Sequence, residues 1–158
     1  MKNINGYIWT LIVALLVSCT ESVNNAEKVD RLPDIYPDYI GVTIPAGIAP
    51  MDFNVEENDC VKVDVIAKGS KQGEIHIQGE WAEWDVDEWH ELTRQNIGGS
   101  IDITVRAKTE DGQWKEYRTF KMYVSQYPLE DFGITYRRIQ PGYEVGGNIG
   151  IYQRDIHS

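Results

Sequence analysis

Val61, Val63, Val65 and Ala67 take every second position of one stretch, with Lys62, Asp64 and Lys68 on the alternate side. Ile101, Ile103, Val105 and Ala107 repeat the pattern against Asp102, Thr104 and Arg106. An extended chain sends successive side chains to opposite faces, so each stretch reads as a strand with one apolar and one polar face. A helix, with roughly 3.6 residues per turn, would scatter the same valines around its circumference. Shorter runs carry the same signal: Ile40, Val42 and Ile44; Met51, Phe53 and Val55; Ile75 and Ile77; Phe120, Met122 and Val124. Turn formers separate them: Pro45, the GSKQG stretch at 69–73, and Asp111-Gly112, a two-residue hairpin signal. Short half-polar strands joined by turns predict an all-β domain, an antiparallel β-sandwich of immunoglobulin or fibronectin type III-like kind.

One stretch breaks the alternation. Asp85 is placed to cap a helix with Glu88 at its third position, an acidic variant of the capping box. Trp89 and Leu92 fall on one face of that helix, and Gly98-Gly99 ends it. The expectation is a single short helix crossing from one sheet edge to the next.

The chain begins with Met1-Lys2-Asn3, a short basic end, followed by almost unbroken apolar sequence from Tyr7 to Val17. The run is shorter than the about 20 apolar residues that a membrane span needs, and it closes on small residues, the layout of a secretory signal peptide. Leu16-Val17-Ser18-Cys19 resembles the lipobox of bacterial lipoproteins. The resemblance implies that residues 1–18 are removed and that Cys19 carries acyl chains. Thr20, not Asp, follows the cysteine, which in that class implies the outer membrane, on its periplasmic or cell-surface face. Residues 19–33 are largely polar and aperiodic and read as a flexible tether, ahead of a β domain over 34–128.

Charge narrows the partners. The chain has 15 Lys and Arg against 25 Asp and Glu; loss of Lys2 with the leader leaves 14 against 25, or −11. Such a surface repels phosphate backbones, which excludes nucleic acid, and it disfavours lying flat on anionic lipid, so membrane attachment falls to the acyl group. With Cys19 acylated, Cys60 is the other cysteine of the chain, so no intrachain disulfide, paired-cysteine zinc site or haem-attachment pair can form. Cys60 is expected to be a small residue at a strand end; a reactive thiol is the alternative.

Tyr36-Pro37-Asp38-Tyr39, Ile44-Pro45 and Ile48-Ala49-Pro50-Met51-Asp52-Phe53 are similar to the start of a group of Gram-negative lipoproteins. In those proteins an N-terminal sandwich precedes a TolB-like β-propeller. Tyr136-Arg137-Arg138-Ile139-Gln140-Pro141-Gly142-Tyr143 and Ile151-Tyr152-Gln153-Arg154 resemble the passage into the propeller. The resemblance implies architecture and location but no reaction. It casts residues 129–158 as an extension, rich in Gly, Tyr and Arg, that packs on a partner protein or on a propeller.

Among residues with chemistry, Trp81, Trp84 and Trp89 lie close together among Glu80, Glu83, Asp85, Asp87, Glu88 and Glu91. Two readings remain open: a glycan platform, with rings stacking on sugar faces and carboxylates accepting hydroxyl protons, or aromatic plugs at the sandwich edge. His76 and His90 lack metal-ligand spacing and are expected to be solvated, so no metal site is predicted. Gly146-Gly147-Asn148-Ile149-Gly150 lacks the Lys-Ser/Thr of a phosphate loop and reads as a turn. No Gly-x-Ser-x-Gly elbow occurs. The sequence therefore predicts neither catalytic residues nor a cofactor.

Overall fold

The computed structural model describes residue 23 and residues 25–127, 133–138 and 150–157. The expected leader, Cys19 and most of the expected Gly146–Gly150 turn lie outside the described residues. Strands β5 (Cys60–Gly69) and β7 (Ser100–Thr109) pair antiparallel, with Val65 opposite Val105 and Ala67 opposite Ile103. That register puts both apolar rows on one face, where Val63, Val65, Ala67, Ile101, Ile103, Val105 and Ala107 are fully buried. β6 (Glu74–Gly79) pairs with the free side of β5. The free side of β7 takes β8 (Trp114–Glu116) and β9 (Phe120–Val124), two pieces of one interrupted strand. β1 (Glu27–Lys28) lies parallel to β8 and β3 (Thr43–Ile44) parallel to β9, completing a seven-stranded open sheet.

The apolar face is covered by α1 (Val86–Gln95) and by a two-stranded ribbon of β2 (Ile35–Tyr36) and β4 (Asn54–Val55). Ile35, Phe53, Trp84, Trp89 and Leu92 join the strand residues in one core. Phe53 meets Phe120 edge-on at 6.3 Å. Burying each such side chain contributes about 1.5–3 kcal/mol, which is what fixes the helix to the sheet. β6 and β7 both run antiparallel to β5, so they are parallel to each other, and α1 is the crossover between them. The predicted helix is thus present and connects one edge of the sheet to its middle.

Its ends are built from side chains. The Asp85 carboxylate accepts from the Asp87 and Glu88 amides, both at 3.0 Å. At the other end buried Asn96 accepts from the Lys71 amide at 2.8 Å and donates to the Gln72 and Leu92 carbonyls at 2.7 and 2.8 Å. One amide side chain thereby ties the helix to the β5–β6 turn.

Several local expectations are revised. Within the expected 19–33 tether, Glu27–Lys28 is an edge strand, and Arg31 grips Glu57 with two hydrogen bonds of 2.6 Å while its guanidinium lies 4.9 Å from the centre of the Tyr117 ring. Backbone pairing to β8 holds this strap without any hydrophobic alternation, which is why periodicity missed it. Val61 shares the parity of Val63 but is exposed, because the β5–β7 register shifts between Cys60 and Lys62. After Lys108 the chain turns through a loop longer than two residues; Thr109 donates its amide to the Gln113 carbonyl, and Gly112 supplies the positive φ of 85°. Cys60 opens β5 half-buried, and burial pushes its thiol pKa up, away from thiolate chemistry.

Burial and the nearby Glu57 carboxylate push the Tyr117 pKa up to about 12. A raised acid favours its neutral form in the fold, so its contribution is whole below the unfolded value of about 10 and is lost as pH rises toward the folded value. Alkaline unfolding is therefore expected to begin near pH 10 and to remove about 2 kcal/mol by pH 12, with Tyr117→Phe lacking this limb. Denaturant titrations at stepped pH measure it; identical alkaline limbs in both proteins would refute the assignment.

The strap joins the sheet beside Lys115, opposite Ala107, and runs with β8 and β9 to Ile44, beside Val124. The chain then leaves β9 at the end of the sheet where β7 begins, because Tyr123 faces Ser100. At roughly 3.4 Å per residue these two ends lie about 24 Å apart. Beyond the second end β10 (Ile134–Arg138) and β11 (Gly150–Arg154) form a separate antiparallel hairpin. Its return is pinned at that same end: Ile156 accepts from the Ala49 amide at 2.9 Å, and the His157 ring meets the Gly47 carbonyl at 2.6 Å.

Candidate binding groove

The three indoles do not share a surface. Trp84 and Trp89 are buried and stacked on each other, with ring centres 5.5 Å apart, and the Trp84 indole N–H donates to the Met51 carbonyl at 3.1 Å. Trp81 alone keeps an open face, half exposed, its N–H reaching Glu83 at 3.2 Å. The core claims two members of the cluster because α1 turns Trp89 inward and Trp84 precedes its cap. Trp81 sits just past the last residue of β6, where the polypeptide turns toward the helix.

β6 itself is the centre of the candidate site. Among the described residues it pairs with β5 and with no other strand, so alternate backbone N–H and C=O groups face outward along its free edge. Two hollows adjoin it. The first, about 350 Å³, lies between Gly73, Glu74 and Ile75 and the flank of α1 formed by Asp87, Glu88, Glu91, Leu92 and Gln95. Ile75 and Leu92 are its apolar members; Glu74, Asp87, Glu88 and Glu91 make it acidic. The second, about 450 Å³, is bordered by Ile77, Gln78, Gly79, Glu80, Trp81 and Glu83. Along one open edge the chain thus offers six carboxylates, two hollows and an exposed indole, with no Lys or Arg among the described lining residues, although Lys68 of β5 reaches Glu74 at 3.9 Å.

The opposite face of β6 holds the edge in place. Asp64 of β5 is buried, and its carboxylate accepts from His76 at 2.6 Å, from Gln78 at 2.7 Å and from Arg106 at 2.9 Å. Arg106 also donates to Glu116 at 2.7 Å, so one ladder of polar side chains spans β6, β5, β7 and β8. Burial pushes the Asp64 pKa up, but the three donors outweigh it and hold the carboxyl below its usual range. His76 is therefore a ladder member rather than a freely solvated side chain.

His90 departs further from expectation. It is buried, its ring 6.0 Å from that of His157 in an edge-on contact, where the C-terminal return packs against α1. No local signal announces this contact, since His157 lies far along the chain. Among the described residues no three His, Cys, Asp or Glu side chains group as metal ligands.

The hairpin is the second exposed feature. Ile134 and Tyr136 share a face with Tyr152 and Arg154, while Arg137 and Ile151 face the other way. Tyr136 and Tyr152 stack at 5.8 Å, yet Ile134, Tyr136, Ile151 and Tyr152 all remain exposed. Compared with protein-family models, curated proteins and solved structures, the chain matches none.

Proposed function

We propose that the chain is a lipid-anchored extracytoplasmic binding module without catalytic activity, which takes an extended polypeptide at the open edge of β6. The observation that carries this reading is the groove: a strand edge with unpaired backbone groups, beside a helix flank that supplies apolar floor and negative charge. A strand added there gains backbone hydrogen bonds, with specificity left to alternate side chains. The groove favours ligands with Lys or Arg at positions facing α1 and an apolar residue above Ile75. Selection of displayed peptides on the full chain tests it: the expected winners alternate apolar and basic residues and lose binding to Glu88→Lys/Glu91→Lys. Winners indifferent to that double variant would sink the reading.

An immunoglobulin or fibronectin type III-like sandwich is part of the same proposal, with the β2–β4 ribbon taken as the second layer over the antiparallel sheet. A second functional reading draws on Trp81, whose open face beside Glu80 and Glu83 suits a sugar ring. Glycan-array binding that is saturable and lost in Trp81→Ala would favour it over the peptide reading.

The lipobox resemblance of Leu16-Val17-Ser18-Cys19 supports attachment through acyl chains, and Thr20 after the cysteine supports the outer membrane as its location. Several acyl chains, at about 0.8 kcal/mol per buried CH₂, hold a protein where one alone binds marginally. Cys19→Ala is expected to abolish incorporation of a fatty-acid probe and to leave an uncleaved precursor. Equal labelling of both proteins would remove the anchor from the proposal.

A further inference from the structure

We propose that the groove along β6 receives the β10–β11 hairpin of a second copy of this chain, a step that rests on the groove being a strand-addition site. The two surfaces are complementary in each respect that strand addition uses. β6 offers one open edge, and the hairpin, a sheet of two strands, offers open edges of its own. The groove is lined by Asp87, Glu88 and Glu91 of the helix and by Glu74, which Lys68 reaches at 3.9 Å, whereas the hairpin presents Arg154 on the face that carries Tyr136 and Tyr152, and Arg137 on the other. Neither arginine makes an ion pair among the described residues. In size, a hollow of about 350 Å³ floored by Ile75 and Leu92 accommodates an isoleucine or tyrosine side chain, and Ile134, Tyr136, Ile151 and Tyr152 are large apolar residues exposed on the hairpin. In a net-acidic chain the hairpin carries a charge opposite to that of the groove.

The geometry also favours a second copy over lipid as the occupant. The hairpin is pinned at the end of the sheet remote from the strap that leads to Cys19, so the acylated terminus and the hairpin leave from opposite ends. Groove and hairpin are different surfaces, so the contact is heterologous: each pair keeps one free groove and one free hairpin, and association continues into rows or closes into a ring.

Sedimentation velocity of the full chain in detergent micelles tests this. The wild type is expected to shift from monomer to larger species with concentration. Arg137→Glu/Arg154→Glu alone and Glu88→Lys/Glu91→Lys alone are each expected to weaken association about tenfold or more. Mixing the two variants restores association with the copies alternating, since the wild-type groove of one meets the wild-type hairpin of the other and the two reversed surfaces match in turn. A wild type that stays monomeric across the range, or association that neither double variant alters, overturns the proposal. If extended peptides still bind at Glu88 and Glu91 while the chain stays monomeric, the groove stands and the second copy falls; if neither binds, both fall.

Discussion

Trp89→Ala is expected to cost about 4 kcal/mol of folding stability, whereas Trp81→Ala stays within about 0.5 kcal/mol of wild type. Trp89 is fully buried between the helix and the sheet and stacks on Trp84, so truncation opens a cavity that the covered face cannot collapse to fill. Against total stabilities of about 5–15 kcal/mol, that loss leaves much of the population near unfolding at elevated temperature. Trp89→Phe separates packing from polarity. It keeps a ring against Trp84 and removes an indole N–H that is buried without a hydrogen-bond partner among the described residues. Its cost is expected to be a fraction of the alanine cost. Urea unfolding of the three variants decides the matter; equal destabilisation by Trp81→Ala and Trp89→Ala would contradict the placement of Trp89.

The second large effect belongs to Asp64. Removing its carboxylate takes away the acceptor shared by His76, Gln78 and Arg106, and Asp64→Ala is expected to cost about 3 kcal/mol and to lower Tm by roughly 10 °C. The loss has a location as well as a size. Amides of Glu74–Gly79 should exchange faster relative to those of β7, because the ladder is what fastens the edge strand from its solvent side. It also has a pH signature. A carboxyl held below its usual range stabilises the fold above about pH 4, and that contribution is lost as pH falls through the lowered value. Asp64→Asn should therefore flatten the acid limb of the stability profile. An unchanged acid limb, or uniform exchange across the sheet, would show that the ladder is ornamental.

The strands with a clean alternation were legible because burial on one face and solvent on the other leave a period of two in the sequence, which β5, β7 and β9 follow; the helix start was legible from the capping side chain of Asp85. The strap was not, because Glu27–Lys28 is held by backbone pairing and Arg31 by a carboxylate 26 residues away. Asn96 likewise looks like one more polar residue after a helix until the turn at Lys71 and Gln72 is seen folded over it. For the site, the acidic flank around Trp89 and the cations of the C-terminal segment were both visible. What the one-dimensional pattern concealed was that two of the three indoles belong to the core and that β6 is an edge. Edge status depends on what does not pair, which no local signal records. The polar ladder had a trace in retrospect: Asp64, His76 and Arg106 all fall on the polar parity of their strands.

The parallel run of the strap has a mechanical meaning. A pull arriving from the N-terminal side enters at Glu27 and is directed along β8 and β9 rather than across them. If the far end is held through the hairpin, the backbone bonds from β1 to β3 and the Arg31–Glu57 clamp are loaded together in shear, not opened one at a time as in peeling. The load is thus spread over the whole length of the strap, which makes it a stiff mount between the N-terminal side and the sheet.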